Sequence, residues 1–248
     1  MALLQVRKLW KSYAGTVVLE NLNLDVGEGE FVTIVGASGC GKTTFLRLLL
    51  GVEQASQGQI LLDDRPLPGE PGPQRGIVFQ RYALFPHLTV AEHLLLPQEL
   101  AAAGITGRLF GGSRRRARER SQALLRDVGL YDARDRYPHQ LSGGMQQRLS
   151  IAQSVIAEPR ILLLDEPFGA LDPGVTGDMH RLILELWRRR GMTVFMVTHD
   201  IKEGFTLGTR MLVFDRPRRD DQPVERAGAR ITYDIPLKRP GAARPTAL

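Results

Sequence analysis

The stretch GASGCGKTT, residues 36–44, constrains this chain more than any other. It follows FVTIV (31–35), which reads as a buried strand, and opens into FLRLLLG (45–51), whose leucines and length suit a helix. Strand, glycine loop and helix in that order form the setting in which G-x-x-x-x-G-K-[ST] binds phosphate. Gly36, Gly39 and Gly41 let the backbone turn and bring its N–H groups up to oxyanions, and the helix beyond offers unpaired N–H groups and the positive end of its dipole. Ala37, Ser38, Cys40 and Thr44 complete the same nucleotide-binding loop. Lys42 adds a mobile positive charge for the outer phosphates, and the Thr43 hydroxyl is a neutral oxygen suited to hydrated Mg²⁺. The competing reading is a glycine turn before an ordinary helix, and the preceding strand argues against it.

With 248 residues and 43% hydrophobic content, the chain has room for one large domain or two small ones. No apolar run approaches the ~18 residues that span a bilayer. The start, MALLQVRKLWKSY, lacks the long apolar region of a secretory signal, so a cytosolic location is expected. A single cysteine, Cys40, excludes an internal disulfide and any multi-cysteine metal site. The net charge of +6 hints at nucleic acid, but its distribution does not. Residues 108–120 hold six Arg against one Glu, and residues 216–248 hold eight basic against four acidic residues, which leaves −3 on the rest. The excess is confined to an Arg-rich segment and a tail, so binding of a polyanion over the whole surface is not implied.

Taken in order, LLQVRKLW, TVVLENLNLDV and EFVTIV read as strands separated by the turn-prone SYAG and GEGE. Tyr13 falls in the first turn, either as a surface aromatic or as a ring that stacks on a base. QGQILLDD and RGIVFQ suit further strands, the second ending at Gln80, whose amide oxygen is placed to reach a metal or an attacking water. A loop then leads to a helix starting near Thr89, residues 101–112 read as a flexible connection, and a helix follows from about 113 to 128. In that helix Ala117, Ser121, Leu124, Leu125 and Val128 share one side and leave Arg114, Arg115, Arg118 and Arg126 to others.

LSGGMQQR (141–148) places a capping Ser142 before Gly143 and Gly144, a second helix start bare enough to hold an anion. ILLLDEP (161–167) reads as a central strand whose carboxyl end carries Asp165 and Glu166. Adjacent carboxylates on a strand alternate in direction, so Asp165 suits a hydrated metal and Glu166 the attacking water. Asp172 lies at a turn before an amphipathic helix. TVFMV (193–197) is a further buried strand ending at Thr198, His199 and Asp200, where a lone His199 is either structural or a neutral imidazole that holds a γ-phosphate oxygen. After RMLVFD (210–215) a loop leads to ARITYDIPL, whose alternation puts Ile231, Tyr233 and Ile235 on one face.

Jointly, GASGCGKTT, VFQRYALFP, YPHQLSGGMQQR, ILLLDEPFGALD and VTHD resemble the nucleotide-binding subunit of ATP-binding-cassette (ABC) transporters, over roughly residues 3–215. The resemblance implies an α/β P-loop NTPase of the ABC type: a mainly parallel core sheet, an antiparallel β subdomain and an inserted α-helical subdomain. It places the cassette at 1–215, the helical subdomain at about 81–158 and a short basic extension at 216–248. Tyr13 then looks like the adenine-stacking aromatic, and Gln80 like the glutamine linking metal and water to the membrane subunits. Asp165 looks like the metal residue beside Thr43 and Gln80, and Glu166 like the general base. His199 looks like the γ-phosphate switch and Asp172 like the dimer-contacting aspartate. Ser142, Gly143 and Gly144 look like the signature that binds a partner's ATP. Gln153, Ser154, Gly204 and Thr209 depart from common family text at non-catalytic positions.

The implied cofactors are ATP and Mg²⁺. Hydrolysis needs positive charge and donors where the γ-phosphate builds negative charge, together with a base to orient water. The implied partners are a second copy or homologous subunit held head to tail, transmembrane permease subunits and, indirectly, a solute-binding protein, at the cytoplasmic face of the inner membrane. FPHLTVAEH and ITYDIPLKRP look like the nitrate, sulfonate and taurine importers, with a small nitrogen- or sulfur-containing solute. Two other classes stay open. A cassette ATPase acting on nucleic acid would use Arg114 to Arg120 as a backbone patch, and an ATP-gated assembly module would dispense with turnover. The absence of coiled coils or a second cassette argues against the first, and Glu166 against the second, so no nucleic-acid partner is expected.

Overall fold

Alternating leucine and valine at the start of the chain produce three successive strands, β1 (Ala2–Tyr13), β2 (Thr16–Gly27) and β3 (Phe31–Gly36), in a computed structural model of the protein. The structure describes residues 2–80, 83–102, 109, 111–216 and 227–237. They divide into two compact units, one formed by Met1–Gly72 with Gly191–Leu248 and the other by Pro73–Arg190. Of the flexible connection expected at 101–112, residues 101–102 and 111–112 are helical instead, while 103–108 and 110, with 217–226 and 238–248, lie outside the described residues.

In the first unit, β1 pairs antiparallel with β2 and with β4 (Gln57–Leu62), and β5 (Arg65–Pro66) closes that sheet in the order β2-β1-β4-β5. Strand β1 runs to Tyr13, which pairs with Thr16, so the tyrosine ends a strand and does not sit in the turn expected for it. In β2, Leu22, Leu24 and Val26 are buried while Asn21, Asn23 and Asp25 are exposed, the period-two pattern of a one-sided sheet, whereas β1 buries Leu3, Leu4, Val6 and Leu9 across a shift in register between Val6 and Leu9. All five apolar-side positions of β3 before Gly36 are buried, as a strand covered on both faces requires. It lies between β8 (Thr193–Val197) and β9 (Arg210–Asp215), parallel to both. Helix α1 (Lys42–Leu50) packs on β3 and β8, burying Phe45, Leu46 and Leu49, each stabilising by about 1.5–3 kcal/mol. The Phe45 ring meets Phe214 of β9 at 5.5 Å between centroids.

The last strand, β10 (Arg230–Pro236), runs antiparallel beside β9. Its face assignment differs from the alternation read in the sequence. A bulge at Thr232 sets Ile231 opposite Phe214 and Tyr233 opposite Val213, so the two side chains leave on opposite faces, and Tyr233 is exposed. Just before β10, Ala229 bridges Leu19 of β2, and the Glu20 carboxylate takes the Gly228 N–H and pairs with Arg230.

In the second unit, β6 (Arg75–Val78) and β7 (Ile161–Asp165) pair in parallel, with Val78 beside Leu164. Helix α2 (Val90–Ala102) starts from a capping box: the Thr89 N–H donates to Glu92 at 2.7 Å and the Glu92 N–H to the Thr89 hydroxyl at 3.3 Å. Helix α3 (Gly111–Asp127) buries Ala117, Ser121, Leu124 and Leu125 and exposes its arginines, as its periodicity predicts. Helices α4 (Gly143–Val155) and α5 (Pro173–Arg190) complete the unit. Among the described residues, no helix is long and apolar enough to cross a membrane.

Candidate functional site

The glycine loop sits at the carboxyl end of β3. Gly36 has φ 156°, and a Cβ there would stand 2.2 Å from the Phe214 carbonyl oxygen, so only glycine lets β3 and β9 close this tightly. Gly41 caps α1 in the left-handed region at φ 90° and supplies no side-chain bond to the first-turn N–H groups. A Cβ at Gly41 would meet Leu19 at 2.7 Å and Val18 at 3.0 Å. The loop is thus a bare cradle backed by β2.

Lys42 is buried, and its ammonium donates to the carbonyls of Gly36 at 2.7 Å and Ala37 at 2.9 Å. The Ala37 carbonyl also accepts the Cys40 N–H at 3.3 Å, which closes the loop on itself. Cys40 is buried with its Sγ 3.9 Å from Lys42 Nζ, while Ala37, Ser38 and Gly39 are exposed along the rim. Arg216, just past β9, donates to the Gly39 carbonyl at 3.1 Å. In the first turn of α1, Thr43 is exposed and Thr44 half-buried.

The parallel pairing of β3 with β8 sets Ile34 beside Val197, so His199 emerges two residues beyond that pair, at the same sheet edge as Gly36. His199 is exposed, and Asp200 behind it caps α6 (Ile201–Leu207) by accepting the N–H groups of Lys202 and Glu203 at 2.8 and 3.4 Å.

In the second unit, Gln80 stands two residues beyond the end of β6, and its Nε2 donates to Glu166 Oε2 at 3.1 Å. Asp165 ends β7, but Glu166 lies beyond the strand in the left-handed region at φ 46°. Asp165 and Glu166 therefore part company through a strained turn and not through the pleat that the sequence suggested. Gln147 of α4, fully buried, donates to the Pro167 carbonyl at 2.5 Å and so braces that turn. Ser142 caps α4 by accepting the Met145 N–H at 3.3 Å, with Ser142 and Gly143 exposed. Gly144 faces Val175 of α5, where a Cβ would come within 2.8 Å. Asp172 is exposed, and its carbonyl accepts the N–H groups that open α5.

Two side chains beside these residues, Glu53 and Arg216, lie outside every motif, and a third, Gln147, lies inside one without a role of its own. Glu53 accepts the Tyr13 phenol, Arg216 holds the glycine loop, and Gln147 is legible only as part of LSGGMQQR.

The donor sets fit the groups that the sequence implies. Bare N–H groups, a buried ammonium and a positive helix end suit a polyphosphate. Within the second unit, the Asp165 carboxylate and the Gln80 amide carry hard oxygens of the kind Mg²⁺ takes, and in the first unit the Thr43 hydroxyl is another.

Comparison with known proteins agrees. The family profile described as ABC transporter matches residues 19–169. A Brucella abortus protein named provisionally as ATP-binding is 45% identical over 94% of this chain and 83% of its own length. The spermidine/putrescine import ATP-binding protein PotA of Vibrio cholerae is 45% identical over 82% of this chain and 52% of its own. The dimeric post-hydrolysis structure of the ATP-binding cassette MJ0796, bound to ADP and Pi, superposes with a TM-score of 0.75 at 28% identity, covering 95% of this chain and 99% of that one. A bare glycine loop before a helix, a carboxylate-bearing turn at a strand end and these likenesses together make the chain a member of the ABC transporter family, one of its ATP-hydrolysing cassettes.

Proposed function

We propose that this ATPase energises a membrane importer and that the residues named above divide the work as follows. Residues 36–44 hold the phosphates of ATP, with Lys42 leaving the Gly36 and Ala37 carbonyls for the nucleotide's outer oxygens. Tyr13 stacks on the base. Thr43, Gln80 and Asp165 hold Mg²⁺, which when bound neutralises charge on the phosphates. Glu166 orients and deprotonates the attacking water, and His199 fixes a γ-phosphate oxygen. Ser142, Gly143, Gly144 and Asp172 serve a second copy, or a homologous subunit, held head to tail. Residues 1–215 make the cassette, with its helical subdomain at about 81–158, and 216–248 a short basic extension.

The observation that carries the reading is the 3.1 Å bond from Gln80 to Glu166 at the carboxyl ends of β6 and β7. The bond joins the candidate base to the Nε2 of a side chain whose amide oxygen serves the cation in this reading. The likeness to PotA, named for import, supports the direction of transport. FPHLTVAEH and ITYDIPLKRP favour a small nitrogen- or sulfur-containing solute, of the nitrate, sulfonate or taurine kind, delivered by a solute-binding protein to transmembrane permease subunits. The chain then works as a peripheral protein on the cytoplasmic face of the inner membrane, without nucleic acid.

Affinity isolation from detergent-solubilised membranes, with and without nuclease, tests this. Permease subunits should co-purify, and Glu166→Gln should lower turnover at least about a hundredfold while ATP still binds. Recovery of nucleic acid in place of a permease, with ATPase stimulation lost on nuclease treatment, would reject import in favour of the Arg114 to Arg120 patch.

A further inference from the structure

Apart from Thr44 of the glycine loop, which also bonds the phenol, the ring of Tyr13 is held by residues outside every motif. Its hydroxyl donates to Glu53 Oε2, two residues past the Gly51 cap of α1. The same oxygen pairs with Lys11 Nζ at 3.3 Å, and Arg47 of α1 meets Oε1 at 3.4 Å. Lys11 Nζ also donates to the Gln54 carbonyl at 2.9 Å and lies 4.6 Å from the centroid of the Tyr13 ring, inside cation–π range. The side chains of Lys11 and Glu53 are 13% and 17% exposed, whereas Tyr13 is 41% exposed. A largely buried polar mount therefore presents an outward ring.

Protonation states agree with that geometry. Burial, then the bond to Glu53, pushes the Tyr13 phenol up, which keeps it a donor. Burial pushes the Glu53 carboxyl up as well, but hydrogen bonds from Tyr13 and Lys11 outweigh it and hold the group below its ordinary value. An ionised acceptor facing a neutral donor makes a charge-assisted bond, the stronger kind. With the backbone fixed at the end of β1 and the hydroxyl fixed at Glu53, both side-chain torsions of Tyr13 are set. A cation lies against one face of the ring.

We propose that Glu53 is a positioning residue for the nucleobase: through the Tyr13 hydroxyl it holds the ring, with Lys11 against one face, so that a purine stacks on the other. The inference rests on reading Tyr13 as the base-stacking aromatic. Stacking onto a ring already held avoids the cost of ordering an exposed side chain at the moment of binding.

Equilibrium binding of ATP and of inorganic tripolyphosphate, which has no base, separates the possibilities. Tyr13→Ala should weaken ATP about tenfold, the scale of losing one base–aromatic stack, and leave tripolyphosphate unchanged. Glu53→Ala should weaken ATP about three- to tenfold, again sparing tripolyphosphate, and should add nothing in a Tyr13→Phe background. Glu53→Gln, which keeps an acceptor for the phenol, should stay within about twofold of wild type. If Glu53→Ala weakens both ligands alike, or acts equally in the Tyr13→Phe background, Glu53 serves the helix end and the proposal falls. A Tyr13→Ala loss with no Glu53→Ala loss overturns the positioning role alone and leaves the stacking reading standing. Unchanged ATP binding in Tyr13→Ala removes the stacking reading and the proposal with it.

Discussion

Replacing Gln147 by Leu removes one hydrogen bond from a fully buried site and should slow hydrolysis far more than it destabilises the fold. Gln147 donates to the Pro167 carbonyl at 2.5 Å, and Pro167 follows Glu166 directly. Loss of the donor leaves a buried carbonyl unsatisfied, at about 1–3 kcal/mol. Removal of the amide also relieves Gln147 Oε1, which has no partner among the described residues, and offsets part of that penalty. Glu166 meanwhile stores about 1–2 kcal/mol in its left-handed backbone at φ 46°. The strain is present with or without Gln147, so the substitution shifts the conformation that aims Glu166 at Gln80 by the lost bond alone, roughly 1–3 kcal/mol against its relaxed competitor. At 1.4 kcal/mol per decade, a shift of that size lowers kcat by about 5- to 150-fold. Tm should fall by no more than about 5 °C. Steady-state kinetics with a parallel thermal melt and ATP titration measures all three quantities. A kcat within threefold of wild type, or a loss of kcat matched by an equal loss of folded protein, would refute the claim that Gln147 braces the catalytic turn.

Two further outcomes are expected. His93 is buried and pushed down from its ordinary pKa by burial, with Nε2 accepting the Phe85 N–H at 2.9 Å and Nδ1 donating to the Thr89 carbonyl at 2.8 Å. The unfolded chain therefore binds the proton first, and Tm should drop as pH falls below about 6.5. That slope should flatten in His93→Gln, and an unchanged slope would acquit His93. In the second experiment, a Lys42→Ala chain mixed with a Ser142→Arg chain places both defects at one site of a head-to-tail heterodimer. ATPase activity should reappear in the mixture when each mutant alone is inactive, whereas full activity of the Ser142→Arg homodimer would rule out a shared site.

Much of this site is legible in the sequence because its parts are local. A glycine loop between strand and helix, a Ser142 cap and a carboxylate pair at a strand end each fit inside ten residues, and periodicity alone places their elements. What escapes the sequence is long-range. Nothing near Tyr13 announces Glu53 forty residues later, and nothing near Gly39 announces Arg216. The bulge at Thr232 is invisible because Ile231, Tyr233 and Ile235 alternate faultlessly; only pairing with β9 reveals the extra residue. The left-handed Glu166 is hidden for a related reason. An uninterrupted ILLLDE run gives no sign of where the strand stops, and the bracing amide of Gln147 comes from α4.

The position of β3 between β8 and β9 also sets a timetable for synthesis. The Phe31 N–H is satisfied by the hydroxyl of Thr209, 178 residues downstream. At about 5–20 residues per second, the strand that carries the glycine loop leaves the ribosome roughly 10–35 s before its later neighbour exists. Through that interval FVTIV is an apolar segment with both edges unpaired, the kind that recruits other chains. Residues 73–190, contiguous in the chain, have no such wait and can gather their own strand pair and helices first. Nascent chains arrested before β9 should therefore be the species that chaperones hold, and nucleotide should begin to stabilise the protein only after residue 215 has emerged.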